Sequence, residues 1–259
     1  ENSSGSCCND CGCPTGKICS NNSCVNGTST FIFRPIIIVP LFVSKETVIT
    51  TNASGAPSID GNKIVFSGYV AAGQPRIQIY DLSTKTLTTL PHDENSYAPD
   101  ISGGRIVFED SSIRPSEGTD IYYYSLTEGV EGMICPRDCY QYSPKIHNNA
   151  VIWEEFNYLR FYWLPSQEER NIYHVDGKIQ GTYDIWGGYV AYLLGDCSHG
   201  VPCDYGVYLY NIATDETHTV ISTSGEIGDV AIYSNKIAYA YGADIDANNI
   251  YIYDINTKL

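Results

Sequence analysis

The stretch Pro99–Asp110, PDISGGRIVFED, holds an isoleucine, a two-residue Gly-Gly turn and an apolar run ending in Phe108. Its core, DISGGRIVF (100–108), has four counterparts: SIDGNKIVF (58–66), KIHNNAVIW (145–153), DIWGGYVAY (184–192) and AIYSNKIAY (231–239). The anchoring residues Ile59, Ile101, Ile146, Ile185 and Ile232 are 42, 45, 39 and 47 residues apart. The turn pairs are Gly-Asn, Gly-Gly, Asn-Asn, Gly-Gly and Ser-Asn. Gly and Asn tolerate positive φ, so the first four suit tight hairpins well and Ser234-Asn235 suits one less well. A second motif follows each hairpin: IQIYDLSTKT (77–86), IYYYSLTEG (121–129), LRFYWLPSQ (159–167), VYLYNIATDET (207–217) and IYIYDINTK (250–258). Alternating apolar and aromatic residues predict a strand there, and the polar tail predicts a turn. A further strand is predicted next, as in TLTTL (86–90) and NIYHV (171–175). Four strands in about 40 residues, repeated, describe the blades of a β-propeller.

The stretches PDISGGRIVFED (99–110) and DIYYYSLT (120–127) resemble the TolB/WD40-like (PD40-type) propeller repeat of exported and cell-surface proteins. The resemblance covers roughly residues 44–259 and implies the fold; such propellers host many roles, so it says little of function.

The fifth repeat ends at DINTKL without an outer strand. SKETVITTNASGAPSIDG (44–61) aligns with TKTLTTLPHDENSYAPDISG (84–103) across a two-residue gap. Lys45–Thr51 is therefore expected to latch onto the last blade. The expected fold is all-β: a small disulfide-rich module (1–30), an extended apolar linker or assembly strand (31–43), and a five-bladed β-propeller (44–259) closed by the N-terminal latch. A chain continuing past Leu259 with more blades is the rival reading. The longer loops (67–76, 109–119, 193–205 and 240–248) should share one face with the inter-blade links, where function concentrates.

The 259 residues include 22 Tyr, 23 Gly, 12 Pro and one Met, a composition that suits strands and turns. The net charge of −15 opposes nucleic acid binding. No apolar run is long enough for a transmembrane helix. The chain opens at Glu1 without an apolar leader and is read as a mature, exported form. Cysteine agrees with export: six of the ten, Cys7, Cys8, Cys11, Cys13, Cys19 and Cys24, crowd the first module. Three disulfides of unspecified connectivity are expected there in preference to a thiolate metal cluster. Cys135 with Cys139 and Cys197 with Cys203 are expected to staple loops locally, with pairing between the two loops as the alternative.

Acids recur after the second strand: Glu109, Asp110, Glu154 and Glu155. Paired carboxylates can hydrolyse glycosides, but these occupy equivalent repeat positions, so a structural role is preferred and no catalytic residue is assigned. The histidines His92, His147, His174, His199 and His218 show no ligand spacing and are read as surface or satisfied loop residues. Asp244, Asp246 and Asn248 alternate as oxygen ligands for Ca²⁺ would, without the rest of that loop's pattern, so Ca²⁺ is a weak candidate and no cofactor is expected. Sequons stand at Asn2, Asn21, Asn26 and Asn52.

The segment FIFRPIIIVPLFV (31–43) is the most apolar of the chain; Pro35 and Pro40 forbid a regular helix. Three readings compete: a joint against its own propeller, a strand added to a neighbouring molecule's blade, or a contact with lipid or envelope. Strand addition through Phe31, Phe33, Ile36, Ile37, Ile38, Val39, Leu41 and Phe42 predicts self-association. The expected function is thus a non-enzymatic extracellular or cell-surface subunit of a filament or surface layer. The runner-up is a lectin-like binder of glycans or proteins with Tyr69, Tyr97, Tyr140 and Tyr142 as stacking residues. A glycosidase is third.

Overall fold

The computed structural model describes residues 17–20, 23–26, 47–70, 73–92, 95–111, 118–134, 140–156, 158–174, 178–196, 204–225, 227–242 and 249–258. These residues form strands and turns and contain no helix, so none is long and apolar enough to cross a membrane. Two compact units are delimited, Glu1–Thr47 and Val48–Leu259. In the first, β1 (Lys17–Ser20) and β2 (Ser23–Asn26) pair as an antiparallel hairpin whose backbone register sets Cys19 opposite Cys24. The cysteines at 7, 8, 11, 13, 135, 139, 197 and 203, the expected Ca²⁺ ligands and the apolar segment 31–43 lie outside the described residues.

The second unit is a succession of antiparallel sheets, one per repeat. Blade one comprises β3 (Ala53–Asp60), β4 (Lys63–Tyr69), β5 (Pro75–Asp81) and β6 (Thr86–Thr89). Blade two comprises β7 (Ser96–Ser102), β8 (Arg105–Asp110), β9 (Asp120–Ser125) and β10 (Val130–Met133). Blade three comprises β11 (Gln141–His147), β12 (Ala150–Glu155), β13 (Tyr158–Trp163) and β14 (Glu168–His174). Blade four comprises β15 (Lys178–Trp186), β16 (Tyr189–Asp196), β17 (Asp204–Asn211) and β18 (Glu216–Thr223). Blade five has three strands, β19 (Ile227–Tyr233), β20 (Lys236–Tyr241) and β21 (Asn249–Asp254).

The expected hairpins are present. The first turn residue has positive φ in all five: Gly61 (56°), Gly103 (57°), Asn148 (57°), Gly187 (61°) and Ser234 (56°). Ser234 adopts it although serine has no intrinsic preference for that region, because the register of β19 on β20 leaves two residues for the reversal. The turn after the third strand is capped from within. Asp81 Oδ1 accepts the N–H groups of Ser83 (2.8 Å) and Thr84 (3.1 Å), and Asp254 Oδ1 does the same for Asn256 (2.9 Å) and Thr257 (3.1 Å). Lys63 and Lys236 pair with these two carboxylates. They and the turn N–H groups hold Asp81 well below the usual carboxylate range and Asp254 down to about 2.

Each strand alternates between two neighbouring blades. Val65, Ile77 and Ile79 of blade one meet Ile106, Phe108 and Tyr122 of blade two. Val107 and Ile121 turn the other way, onto Ile146, Val151 and Trp153 of blade three. Ile152, Leu159 and Phe161 pack on Val190, Tyr192 and Tyr210 of blade four, and Leu193, Val207 and Leu209 on Val230, Ile232 and Ile237 of blade five. The core is therefore a series of inter-blade layers, which is why both faces of strands such as AVIW in β12 are apolar.

The expected latch is not seen among the described residues. Lys45 and Glu46 lie outside them, residues 47–51 belong to no sheet, Val48 is 77% exposed, and β21 is paired on one side only among the described strands. Inner strands pack in the order β3, β7, β11, β15, β19, and no comparable packing joins β19 to β3 among the described residues. The alignment of 44–61 with 84–103 picks out a sequence with strand character; docking it across the whole array is a long-range pairing that local pattern does not encode.

Candidate functional site

The inner strands carry a directional code. In blades one, two and four the residue before the anchor isoleucine reaches toward the next blade. Ser58 Oγ donates to Asp100 Oδ1 (2.5 Å), Asp100 Oδ2 accepts Ile146 N–H (2.8 Å), and Asp184 Oδ2 accepts Ile232 N–H (2.9 Å). The residue after the anchor does likewise. Asp60 Oδ2 accepts Gly103 N–H (2.8 Å) and Ser102 Oγ accepts Asn148 N–H (3.0 Å). His147 then packs as a tilted ring against Trp186 (4.3 Å between centroids), and Trp186 likewise against Tyr233 (4.2 Å). In blade five these positions are Ala231, which offers no acceptor, and Tyr233, which is 68% exposed. Burial lowers the pKa of His147, with Asp60, Asp184 and Asp100 acting in the opposite sense.

Each inner strand also has an irregularity at one place, as between Tyr97 and Asp100 in β7 and between Tyr142 and Lys145 in β11. Pro57, Pro99 and Pro144, which lack the ladder N–H, occupy three of these bulges. In blade four the equivalent residue is Tyr183, and it organises the end of the array that carries the longer loops. Its hydroxyl donates to Ser143 O (2.7 Å), lies 3.0 Å from Tyr142 O, and accepts Glu154 N–H (3.1 Å). Ser143, at φ 52°, donates its own N–H to Glu109 Oε1 (2.6 Å). Two strands thereby pin the backbone under Tyr142. Its ring stacks on Tyr140, 5.9 Å away and 10° from parallel, with both rings well exposed. Burial raises the pKa of Glu109, partly offset by the Ser143 N–H, and burial raises that of Glu154. Burial likewise holds the Tyr183 phenol well above its ordinary value.

The four recurring acids thus divide into pairs. Glu109 and Glu154 flank the tyrosine pair. Asp110 and Glu155 are buried and ion-paired: Asp110 Oδ2 meets His92 Nε2 at 2.6 Å, and Glu155 Oε1 meets Arg160 at 2.7 Å. His92 also meets Glu131 through Nδ1 (2.8 Å) and rests against the rings of Phe108 and Tyr122. It is a satisfied residue of the link between blades one and two. Its burial opposes the charged form, and the Asp110 and Glu131 carboxylates together outweigh that, so its pKa is raised.

Of the four tyrosines proposed as stacking residues, Tyr140 and Tyr142 come together. Tyr97 sits opposite Glu109 on β7, and Tyr69 closes β4 in blade one. His218 is exposed on β18; the side chain of His174 and all of His199 are outside the described residues. Among the sequons, Asn52 is exposed and its carbonyl accepts Tyr69 N–H (3.0 Å); Asn2, Asn21 and the side chain of Asn26 are not described. No group of three or more His, Cys, Asp or Glu among the described residues could hold a metal ion. Sequence reasoning missed Tyr183, yet a signal exists: a tyrosine stands where three sister repeats have proline.

No protein-family profile and no curated protein matches the sequence. Solved structures do match. TolB from Acinetobacter baumannii is 17% identical with a TM-score of 0.54, over 78% of this chain and 52% of that one. A Mycobacterium tuberculosis puromycin-hydrolyzing peptidase is 14% identical with a TM-score of 0.58, over 79% of this chain and 36% of that one. The β-propeller domain of the Trilobed protease from Pyrococcus furiosus is 13% identical with a TM-score of 0.50, over 78% of this chain and 83% of that one. The chain thus spans about half the length of the TolB it matches. At such identities the likeness carries fold and not activity. The chain is similar to TolB and to the propeller domains of larger proteins, and its described fold is a TolB-like β-propeller.

Proposed function

We propose that this chain is a non-enzymatic, exported propeller subunit, extracellular or at the cell surface, that self-associates by strand addition, with Phe31–Val43 of one copy adding to β21 of the next. The outer edge of β21, which has no partner strand among the described residues, carries this reading. Among those residues four blades have an outer fourth strand and blade five has three strands. Ile250 and Ile252, on the side of β21 turned away from blade four, are 70% and 65% exposed. Ile250, with Ala238 and Ala240, borders a shallow apolar depression whose one charged residue is Asp229. The donor segment has the matching composition: rich in β-branched and apolar residues and bearing Arg34 as its single charge. Pro35 and Pro40 allow pairing along one edge and discourage further stacking. Donor and acceptor are different parts of the chain, so the contact is head-to-tail and generates a ring or a fibre. Cysteine crowding supports the compartment.

Light scattering on the full chain tests this. Wild-type protein should assemble, and Ile250→Lys/Ile252→Lys and Ile37→Asp/Ile38→Asp should each be monomeric. A monomeric wild type, or variants that assemble as before, would sink it.

A further inference from the structure

We propose a carbohydrate-binding site at the end of the array that carries the longer loops, in which the Tyr140–Tyr142 platform takes the C–H face of a neutral pyranose unit and Glu109 and Glu154 accept its hydroxyl hydrogens. The observations are independent of the β21 edge. Two stacked tyrosine rings lie 5.9 Å apart and nearly parallel, 45% and 39% exposed, and offer apolar ring surface with phenolic rims to solvent. Trp153, Tyr192 and Tyr210 are by contrast fully buried.

The platform is also pre-set. Ser143 is held in the left-handed region by Glu109 from blade two and by Tyr183 from blade four, so the strand that presents Tyr142 is clamped from both sides. Rigid presentation of an exposed aromatic pair lowers the ordering cost of binding a weakly polar ligand. A pyranose suits the chemistry: its C–H face packs on an aromatic ring, and its equatorial hydroxyls seek acceptors at the ring's margin. Glu109 keeps a second carboxyl oxygen beyond the one that accepts Ser143 N–H. Glu154 stands opposite Tyr142 in the ladder of β11 and β12, and Glu109 holds the N–H of the next residue, Ser143. Two carboxyl groups on a chain of net charge −15 select against uronic and sulfated glycans.

The full chain should be screened on an array of neutral and acidic oligosaccharides, and the strongest neutral binder titrated by calorimetry. Tyr142→Ala and Tyr140→Ala should each weaken its Kd by about tenfold or more, and Tyr142→Phe, which keeps the ring, should stay within a few-fold of wild type. Glu154→Gln should weaken it less. Circular dichroism melts establish that each variant is folded; if Tyr142→Ala does not fold, Tyr140→Ala and Glu154→Gln decide. The proposal is overturned if no neutral oligosaccharide binds, if acidic glycans bind better, or if loss of both rings leaves the Kd unchanged.

Discussion

Blade three and blade five are built from the same repeat, yet they end in opposite conditions. Blade three is enclosed: Ala150, Val151, Ile152 and Trp153 are each 0% exposed, with alternate residues committed to blades two and four. In blade five the same kind of strand is half used. Ile237, Tyr239 and Tyr241 pack toward blade four, while Ala238 and Ala240 face the open side. The first blade does not mirror the fifth. Its Phe66 and Gln78, turned away from blade two by strand alternation, are only 4% and 6% exposed. Among the described residues blade five thus leaves an apolar strand face exposed, and small alanines at 238 and 240 are what make its surface hollow.

That contrast can be broken most sharply by truncating side chains on the two kinds of face. Trp153→Ala should cost about 3–5 kcal/mol in urea unfolding, as a large aromatic lost from a sealed layer, whereas Ile250→Ala or Ile252→Ala should stay within about 0.5 kcal/mol when measured on monomer. Equal losses at the two sites would show that the open face is covered in solution. A smaller effect tests the hydrogen bonds that cross between blades. Asp184→Ala leaves Ile232 N–H and Ile185 N–H without their acceptor and should lower stability by about 1–3 kcal/mol. Ala231→Asp, the same exchange reversed in blade five, should give no comparable gain, because no described blade lies ahead of it.

The subtlest effect is a pH dependence at the joint between blades one and two. His92 faces Asp110 and Glu131, with Phe108 and Tyr122 as its ring neighbours. Its folded pKa lies above its unfolded value, so its contribution is fully present below the ordinary histidine pKa of about 6.5 and is lost as pH rises through the raised folded value. The stability gap between wild type and His92→Gln should therefore be widest in mild acid and shrink above neutrality. A gap that widens with pH would mean that the ring is held neutral.

Much of this architecture is legible in the chain. Turn pairs, alternation and a period near 40 residues place the nineteen strands of the array because each is a local property of its own segment. The relations between blades are harder to read. The residues flanking each anchor, such as Asp60, Ser102 and Trp186, look unrelated until the structure shows that all act on the following blade by different chemistries. His92 has the same difficulty: its two carboxylates lie 18 and 39 residues away, on different strands. The latch failed for a related reason, since strand character says nothing about which distant edge a segment will meet. At the tyrosine platform, Tyr140 and Tyr142 were visible as neighbours in sequence, but the clamp formed by Glu109 and Tyr183 depends on two separate bulges.

The forward reach of the inner strands of blades one to four has an energetic corollary. Each of these blades helps to hold its successor, so cooperativity passes along the array in nearest-neighbour steps. Blade five, with one neighbour and three strands among the described residues, is expected to be the weakest member of that series. Thermal fraying starts there and travels inward, which makes the last repeat the segment that any captured strand would do most to hold in place.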